Sequence, residues 1–324
     1  MKMNLKISKT PFIKWSGSKR KQAPYIVSQF PKEIDTYYEC FLGGGSVLHE
    51  LLNQISLGNV SCKHIVCSDI NEDLIAIWNL LKDKDTRKEL YDFYCENHLK
   101  LKERGEYVEG TEPDRTHIAK CQSYYYEMRD KYNKMIDDDI HSKERAMTFY
   151  WITRTCFNGL IRYNPKTNHF NASFHVGGRF GIRPDELRQV FESWGSVIDS
   201  FVENGGTIEF LNKPYNEVIC NAHKGDIVYM DPPYENIGGM YFCNGFDTNL
   251  FWSILKQMNE NAIKWFLSYD GLSGDDDLTA NVPVDLYKIH EYVNSGHSSF
   301  KKLKSKSTKE KKNKDVVKDS LYIN

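Results

Sequence analysis

The sequence lacks the features that mark membrane and secreted proteins. No apolar run approaches the ~20 residues that span a bilayer. The first 15 residues, MKMNLKISKTPFIKW, have no apolar core of the kind that a secretory signal needs. These absences lead us to expect a cytoplasmic protein.

The chain also lacks a recognisable metal-binding pattern. Its eight cysteines are scattered, and the closest pair, at 62 and 67, has no second pair or histidine partner at zinc spacing. The H-E-x-x-H motif is absent as well. We therefore expect reduced, mostly buried thiols and no metal site.

A net charge of −1 does not by itself indicate a nucleic acid partner, but the charge is unevenly distributed. Lysine is concentrated in IKWSGSKRKQ (13–22) and in KKLKSKSTKEKKNK (301–314), and a neutral protein can still present one basic face. The second run is either a solvated tail or, if VDLYKIHEYV and DVVKDSLYIN pair, the loop of a terminal hairpin.

The length of 324 residues, 40 % of them apolar, suits one large domain or a domain with an insertion. TYYECFL (36–42) reads as a strand, and three glycines, a helical pattern and a second strand, HIVCS (64–68), follow. The next segment has helical spacing, with Asp69 or Asn71 as its cap. This order is typical of a doubly wound sheet.

The strand–helix alternation stops between about 84 and 200, where long helical segments precede a polar, turn-rich stretch. It resumes with TIEFL (207–211), DIVYM (226–230) and IKWFLSYD. We predict an α/β fold with a doubly wound, Rossmann-like sheet built from residues 1–83 and 201–324. Residues 84–200 are predicted to form an inserted, mainly helical subdomain that carries a β-hairpin.

Three features stand at predicted carboxyl ends of strands, where open α/β sheets bind ligands. They are the glycines 43–45, Asp69 and Asp231. The glycines match neither a P-loop nor the G-x-G-x-x-G spacing, so a plain tight turn explains them equally well. Asp69 can meet ribose hydroxyls or cap a helix. Together the glycines and Asp69 suggest a ligand with a ribose and an anionic end.

The third feature is YMDPPY (229–234). A residue before proline is held in extended geometry, and proline has no backbone donor. Asp231 and the Pro232 carbonyl can therefore form two fixed acceptors for an amino group, and Tyr234 can stack on a base. A rigid turn is an equally good explanation of the tetrapeptide alone.

Taken in order, these stretches resemble the Dam-type (D12 class, α-group) DNA adenine-N6 methyltransferases. PFIKWSGSKR is similar to the family's N-terminal motif, YYECFLGGGSV to its E-P-F-x-G-x-G-S motif and SDINEDLI to its second cofactor strand. FNGLIRYNPKTNHFN is similar to its DNA-reading hairpin, and YMDPPY to its catalytic motif. The match covers most of the chain.

The resemblance implies an enzyme that flips an adenine out of double-stranded DNA and methylates N6 by direct transfer from S-adenosylmethionine. It implies catalytic roles for Asp231, Pro232, Pro233 and Tyr234. It implies a cofactor site formed by Asp231 with Trp15, Gly17, Lys19, Glu39, Phe41, Gly43, Gly45, Ser46, Asp69 and Ile70. In the hairpin it implies DNA contacts from Asn158, Leu160, Arg162, Asn164, Asn171 and Ser173.

The chain departs from the family pattern at two places. Cys40 stands where the E-P-F motif has proline. The hairpin has HFNASFHVGG where relatives that read GATC have EFNVPFG, so Ser173 replaces a proline and GATC is not carried over. The hairpin asparagines also suit turn chemistry.

Two alternatives stay open. The first is methylation of cytosine N4 or of an amino group in RNA, because the same two acceptors would bind either exocyclic amine. The second is a non-catalytic DNA-binding relative that keeps the fold. We expect a monomer, and a cognate restriction endonuclease is one of the partners that the sequence allows.

Overall fold

The structure is a computed structural model that describes residues 10–106, 114–176, 180–233, 246–273, 276–297 and 316–324. Its contacts divide these residues into two compact units. The helical unit contains residues 10–18 and 71–200. The sheet unit contains residues 19–70 and the described residues from 201 onward. The domain boundaries at 84 and 200 stay a prediction.

The sheet unit contains one mixed sheet of eight strands in the order β3-β2-β1-β4-β5-β8-β7, with the short strand β6 paired to β5. Pairing is parallel from β3 to β5 and antiparallel beyond it. The strands are β1 (Glu33–Glu39), β2 (Ser61–Asp69), β3 (Thr207–Asn212), β4 (Ile227–Met230), β5 (Lys264–Ser273), β6 (Asp276–Asp277), β7 (Ile289–His297) and β8 (Val316–Ile323).

Four helices of the described residues belong to this unit: α1 (Ala23–Ser28), α2 (Ser46–Ser56), α8 (Tyr215–Ile219) and α9 (Thr248–Glu260). All four residues of β4 are buried, as expected for a central parallel strand with a continuous apolar sequence. The predicted doubly wound, mainly parallel sheet is therefore confirmed.

Some predicted boundaries were wrong by a few residues. The first strand ends at Glu39, because the chain then turns so that the Leu42 amide donates to the Ser68 carbonyl at 3.0 Å. The helix that follows β2 is α3 (Glu72–Lys82). Of the two predicted caps, Asn71 is the one observed, and its Oδ1 accepts from the Leu74 amide at 2.9 Å. Asp69 remains in β2.

The terminal hairpin is confirmed, since β7 and β8 pair antiparallel from Ile289 opposite Ile323 to His297 opposite Val316. The lysine run 301–314 connects these strands in the sequence and lies outside the described residues. No helix in the described part of the chain is long and apolar enough to cross a membrane.

The helical unit begins with α3 and continues with α4 (Lys84–Arg104), α5 (Arg115–Asp137), α6 (Lys143–Thr155) and most of α7 (Pro184–Glu203). Side chains of Asp83, Asp114 and Ser142 cap the starts of α4, α5 and α6. Aromatic rings supply much of its core: Phe12 packs at 5.1 Å from Trp78 and at 5.0 Å from Tyr150.

A buried ion pair joins α3 to α6 within the helical unit. Arg145 Nε lies 2.8 Å from Asp73 Oδ1, and Arg145 Nη2 donates to Asp73 Oδ2 at 3.0 Å. Both side chains are about one-tenth exposed. The Tyr132 hydroxyl donates to the same carboxylate. Such a network is stable only when every charge keeps its partner.

Arg145→Met should therefore lower the free energy of unfolding by about 3–5 kcal/mol, because Asp73 would remain buried without its charge partner. Urea denaturation followed by circular dichroism measures this. Arg104→Met removes an exposed ion pair with Glu127 and should have a much smaller effect on the free energy of unfolding. Equal losses in the two variants would contradict the assignment.

Candidate active site

The strand order reverses between β1 and β4, and this reversal positions the candidate site. Glu39, the last residue of β1, lies opposite Tyr229 of β4. Asp231 follows the end of β4 directly. Carboxyl ends of adjacent parallel strands lie at the same edge of a sheet, where open α/β folds bind ligands. Glu39 and Asp231 are therefore close, and the charge of Asp231 raises the pKa of Glu39.

Lys19 provides the positive charge beside Asp231. Its Nζ lies 3.0 Å from Asp231 Oδ1, and its side chain is 4 % exposed. A second carboxylate, Asp319 Oδ2 on β8, lies at the same distance of 3.0 Å from that nitrogen. A buried ammonium needs such partners because burial strongly disfavours an isolated charge. The structure thus brings together the sequence-predicted Lys19 and Asp231.

Glu39 is almost fully buried and accepts a hydrogen bond on Oε2 from the Tyr37 hydroxyl at 2.8 Å. Burial raises the pKa of Glu39 to about 8, repulsion from Asp231 adds to the effect, and the Tyr37 hydrogen bond opposes it. At neutral pH this group is therefore mainly protonated, and a nearby cation would favour its ionised form.

Asp270, near the end of β5, is a fourth carboxyl group in this region. Burial raises the pKa of Asp270 to about 6, and the charges of Asp319 and Asp231 raise it as well, whereas Lys19 lowers it. We call Lys19, Asp231, Asp270 and Asp319 the acidic cluster. The cluster combines three carboxyl groups with one ammonium, which makes the site favourable for a cation.

The glycine loop between β1 and α2 is tied to the end of β2. The Gly43 amide donates to Asp69 Oδ2 at 3.1 Å. Gly43 and Gly45 have φ angles of 47° and 61°, in the left-handed region that glycine adopts most readily. Gly45 is the N-cap of α2 and supplies no capping side chain, and Ser46 is the first helical residue. A helix start of this kind attracts anions.

Asp69 is flanked by groups that suit a nucleoside. Ile70, the next residue, is 57 % exposed, and Asn212 Nδ2 donates to the Asp69 carbonyl at 3.1 Å. Phe41 packs in an aromatic cluster, with its ring 5.2 Å from that of Tyr215. The predicted cofactor residues that belong to the sheet unit are Lys19, Glu39, Phe41, Gly43, Gly45, Ser46, Asp69, Ile70 and Asp231.

Pro232 and Pro233 follow Asp231, and Pro232 is buried. Tyr234 lies outside the described residues. Trp15 and Gly17 belong to the helical unit, and Gly17 has a φ angle of 74°. In the described residues no group of three or more His, Cys, Asp or Glu side chains is placed to hold a metal ion.

The predicted hairpin of the helical unit is present, but its ladder is short and interrupted. The Phe157 amide donates to Ser173, the Asn171 amide to Arg162 and the Asn164 amide to His169, each at 2.8 Å to the carbonyl oxygen. Isolated antiparallel bridges join Cys156 to Phe174 and Tyr163 to Phe170.

Residues of the hairpin alternate between packed and exposed positions. The side chain of Asn133 on α5 binds both backbone groups of the buried Phe170. Asn133 Nδ2 donates to the Phe170 carbonyl at 3.1 Å, and the Phe170 amide donates to Asn133 Oδ1 at 2.8 Å. The Tyr163 hydroxyl lies 3.2 Å from that of Tyr132. Arg162, next to Tyr163 in the chain, is exposed, and its Nε donates to Asn171 Oδ1 at 2.8 Å.

The remaining predicted hairpin residues differ in their surroundings. Asn158 and Ser173 are exposed, and Leu160 is half-buried. Asn158 has a φ angle of 53°. Asn164 Oδ1 accepts from the Lys166 amide at 2.9 Å, which is turn chemistry.

Sequence reasoning missed several residues of the sheet unit: Gln22, Asn212, Asp270 and Asp319. A signal existed for Asp270, which ends a predicted strand in the same way as Asp69 and Asp231. Asp319 lies within an alternating strand pattern, where a single acidic residue reads as a solvent-facing position.

Comparisons with known proteins identify the family of this chain. A sequence model of the family described as D12 class N6 adenine-specific DNA methyltransferase matches residues 15–295, well over half of the chain. The chain is 28 % identical to a type II methyltransferase, M1.LlaDCHI, of Lactococcus lactis subsp. cremoris, over 71 % of this chain and 67 % of that protein.

Two further relatives are similar to the same degree. A type II methyltransferase of Methanocaldococcus jannaschii, M.MjaIII, is 29 % identical over 69 % of both chains. A DNA adenine methylase of Haemophilus influenzae is 29 % identical over 76 % of this chain and 71 % of the relative. The chain therefore belongs to the D12 class N6 adenine-specific DNA methyltransferases, which methylate N6 of adenine in DNA.

Proposed function

We propose that this enzyme takes its methyl group from S-adenosylmethionine and transfers it directly to an adenine flipped out of double-stranded DNA at one specific sequence. One observation carries the proposal. Asp231, paired with Lys19, lies beside the strand whose glycine loop is bound to Asp69. An acceptor for an amino group and a nucleoside site thus lie at one sheet edge.

The residues of the sheet unit fit this methyl donor. Asp69 offers a carboxylate of the kind that accepts from ribose hydroxyls, and exposed Ile70 offers an apolar face to a base. The start of α2 favours the carboxylate of an amino acid, and Glu39 with the acidic cluster favours cationic groups. When bound, the donor supplies an electrophilic methyl group on a positively charged sulfur.

The acceptor side follows from the D-P-P-Y stretch. Asp231 and the Pro232 carbonyl are proposed to accept the two N6 hydrogens, which leaves the nitrogen lone pair available for attack. Tyr234 is proposed to stack on the flipped base. The proton that N6 loses passes to Asp231 or to water. Positioning and electrostatics supply most of the catalysis, and no covalent enzyme intermediate is needed.

The helical unit is proposed to contribute target recognition through residues 84–200. Arg162 would read a guanine, and Asn158, Leu160, Asn164, Asn171 and Ser173 would contact bases or phosphates. The type II names of two relatives support a cognate restriction endonuclease as partner. We also propose a cytoplasmic monomer.

Expression in a methylation-free host tests the proposed activity. Nucleoside analysis of the host DNA should show N6-methyladenine, and sequencing should place it at one recurrent site. N4-methylcytosine as the product, or modified RNA without modified DNA, would contradict the proposal. Cofactor binding without transfer to DNA of any sequence would favour a non-catalytic protein.

Asp231→Asn should slow the single-turnover transfer by on the order of 10²-fold or more, because a preorganised anionic acceptor is lost. Quenched-flow assays with tritiated donor measure the rate. Asp35→Asn, which removes an exposed partner of Lys63, is the matched control and should be unaffected. A loss below threefold for Asp231→Asn would contradict its role.

Glu39 gives a prediction for cofactor binding. With its pKa near 8, it is protonated in the free enzyme at pH 7. A bound cation lowers that pKa, so binding should release a proton between about pH 5 and pH 8. Affinity for the donor should accordingly rise with pH across this range.

Calorimetry in buffers of different ionisation enthalpy measures the released proton. At pH 7 and above, where Asp270 with its pKa of about 6 is already mainly ionised, Glu39→Gln should bind with little buffer dependence and little change of affinity with pH. Equal binding enthalpies in all buffers for the unmodified enzyme would show that Glu39 does not respond to the donor.

Arg162→Ala should lower discrimination at one guanine of the site by about 1–3 kcal/mol, since a bidentate contact would be lost. Asn171→Ala should cause a smaller loss at that guanine, because it releases the Arg162 side chain from its partner but keeps the guanidinium. Competition between cognate and single-base-changed duplexes measures discrimination.

Arg104→Ala, an exposed arginine of the same unit, is the control for a general loss of positive charge. A uniform loss of affinity across all duplexes in Arg162→Ala would assign Arg162 to phosphate binding instead.

A further inference from the structure

Two carboxylates lie against the Lys19 ammonium, and one of them, Asp319, belongs to no motif that the sequence predicted. Asp231 and Asp319 each place a carboxylate oxygen 3.0 Å from Lys19 Nζ. Asp231 follows β4 near the middle of the sheet, whereas Asp319 lies on β8 in the terminal hairpin. The second contact is thus an addition to the predicted cofactor and catalytic residues.

Two irregularities in the sheet flank Asp319. Between β5 and β8 the register shifts from Tyr269 opposite Ser320 to Leu272 opposite Lys318, so Asp270 and Gly271 face Asp319 alone. Between β7 and β8 the register shifts around Ser295. Such bulges re-aim side chains and are frequent beside active sites.

The bulge on β5 requires glycine. A Cβ atom on Gly271 would lie 2.3 Å from the Lys318 carbonyl oxygen, which is backbone and cannot move aside. The close approach of β5 and β8 at this point thus depends on the sequence, and it brings Asp270 and Asp319 into the acidic cluster.

Gln22 holds Asp319 in this position. Its Nε2 donates to Asp319 Oδ2 at 2.8 Å and also to the Ser295 hydroxyl. Gln22 is 2 % exposed. Asp319 Oδ2 therefore accepts from Lys19 and Gln22 together, while Ser295 orients the glutamine. A charged pair with such buried support has a well-defined geometry.

We propose that Asp319 is a positioning residue for methyl transfer. It acts on Asp231 through Lys19, which contacts both carboxylates. The proposal rests on the proposed function of Asp231 as the acceptor of the adenine amino group. Gln22 supports Asp319 in this role. With two carboxylates around one ammonium, Lys19 orients Asp231 without neutralising the acidic cluster.

The physical effect has two parts. Asp319 fixes Lys19, and Lys19 in turn fixes the plane in which Asp231 presents its oxygens. Asp319 also shares the positive charge, so Asp231 keeps more acceptor strength towards an amino group than it would in an isolated ion pair. The other titratable groups that act here are Glu39, Tyr229 and Asp270.

Asp319→Asn tests the proposal, because asparagine keeps the size and removes the charge. Single-turnover transfer should fall by roughly 10- to 100-fold, as expected for a misplaced reacting group. The Michaelis constant for DNA and the affinity for S-adenosylhomocysteine, measured by calorimetry, should stay within threefold. Asp319→Glu should recover part of the rate.

The pH profile separates positioning from a general structural role. Removing one negative charge from the acidic cluster makes protonation of the remaining carboxylates harder, so the acidic limb of the rate profile should move to lower pH. A lower rate at every pH with an unmoved limb would overturn the proposal. Equal rates in Asp319→Asn and the unmodified enzyme would also overturn it.

Two controls keep the outcome clear. Asp35→Asn removes an exposed carboxylate of the same unit and should leave both rate and profile unchanged. Gln22→Met removes both donors while Lys19 keeps its two carboxylates, so it should give a smaller loss of rate without the charge-dependent shift of the limb. This variant tests the proposal even if Asp319→Asn fails to fold, since an unchanged rate would overturn it.

All rates are compared with that of the unmodified enzyme. If the enzyme without any substitution forms no N6-methyladenine, the proposed function itself is refuted. Normal product formation with an Asp319→Asn variant that matches Asp35→Asn would refute only the role of Asp319.

Discussion

The parallel pairing of β1 with β4 is the constraint on which the site depends. It creates the reversal of strand order and sets Glu39 opposite Tyr229. Asp231 follows Tyr229 by two residues. Once these two strands are adjacent, the glycine loop after β1 and the D-P-P-Y stretch after β4 must share one edge of the sheet. The β2 neighbour adds Asp69, which holds the Gly43 amide. Strand order alone therefore places the proposed nucleoside site beside the proposed acceptor of the amino group.

Electrostatics then gives this edge its character. Asp231 and Asp319 hold the buried ammonium of Lys19 between them, and two further carboxyl groups, Glu39 and Asp270, feel the charge of Asp231. Burial raises the pKa values of Glu39 and Asp270 into the range where they respond to a nearby cation. In the proposed function, this surplus of acid favours a positively charged methyl donor and supplies an anionic acceptor for the amino group, so the same charges would serve binding and positioning.

Sequence patterns predicted the features that are local. The apolar run of β4, the glycine loop, Asp69 at a strand end and the terminal hairpin each follow from a few neighbouring residues. The role of Asp319 depends instead on two bulges and on Gln22, which is 297 positions away in the sequence. Asn71, not Asp69, caps α3, and either choice satisfies the capping pattern. Short-range patterns carry no information on such distant contacts.

The most direct test of the account is a crystal structure of the enzyme with its DNA site and a non-reactive analogue of the methyl donor. The proposed function predicts an adenine outside the helix, with N6 at about 3 Å from an Asp231 oxygen and from the Pro232 carbonyl, and the analogue's ribose hydroxyls on Asp69. An adenine still stacked in the duplex, or an amino group bound away from Asp231, would contradict the central claim.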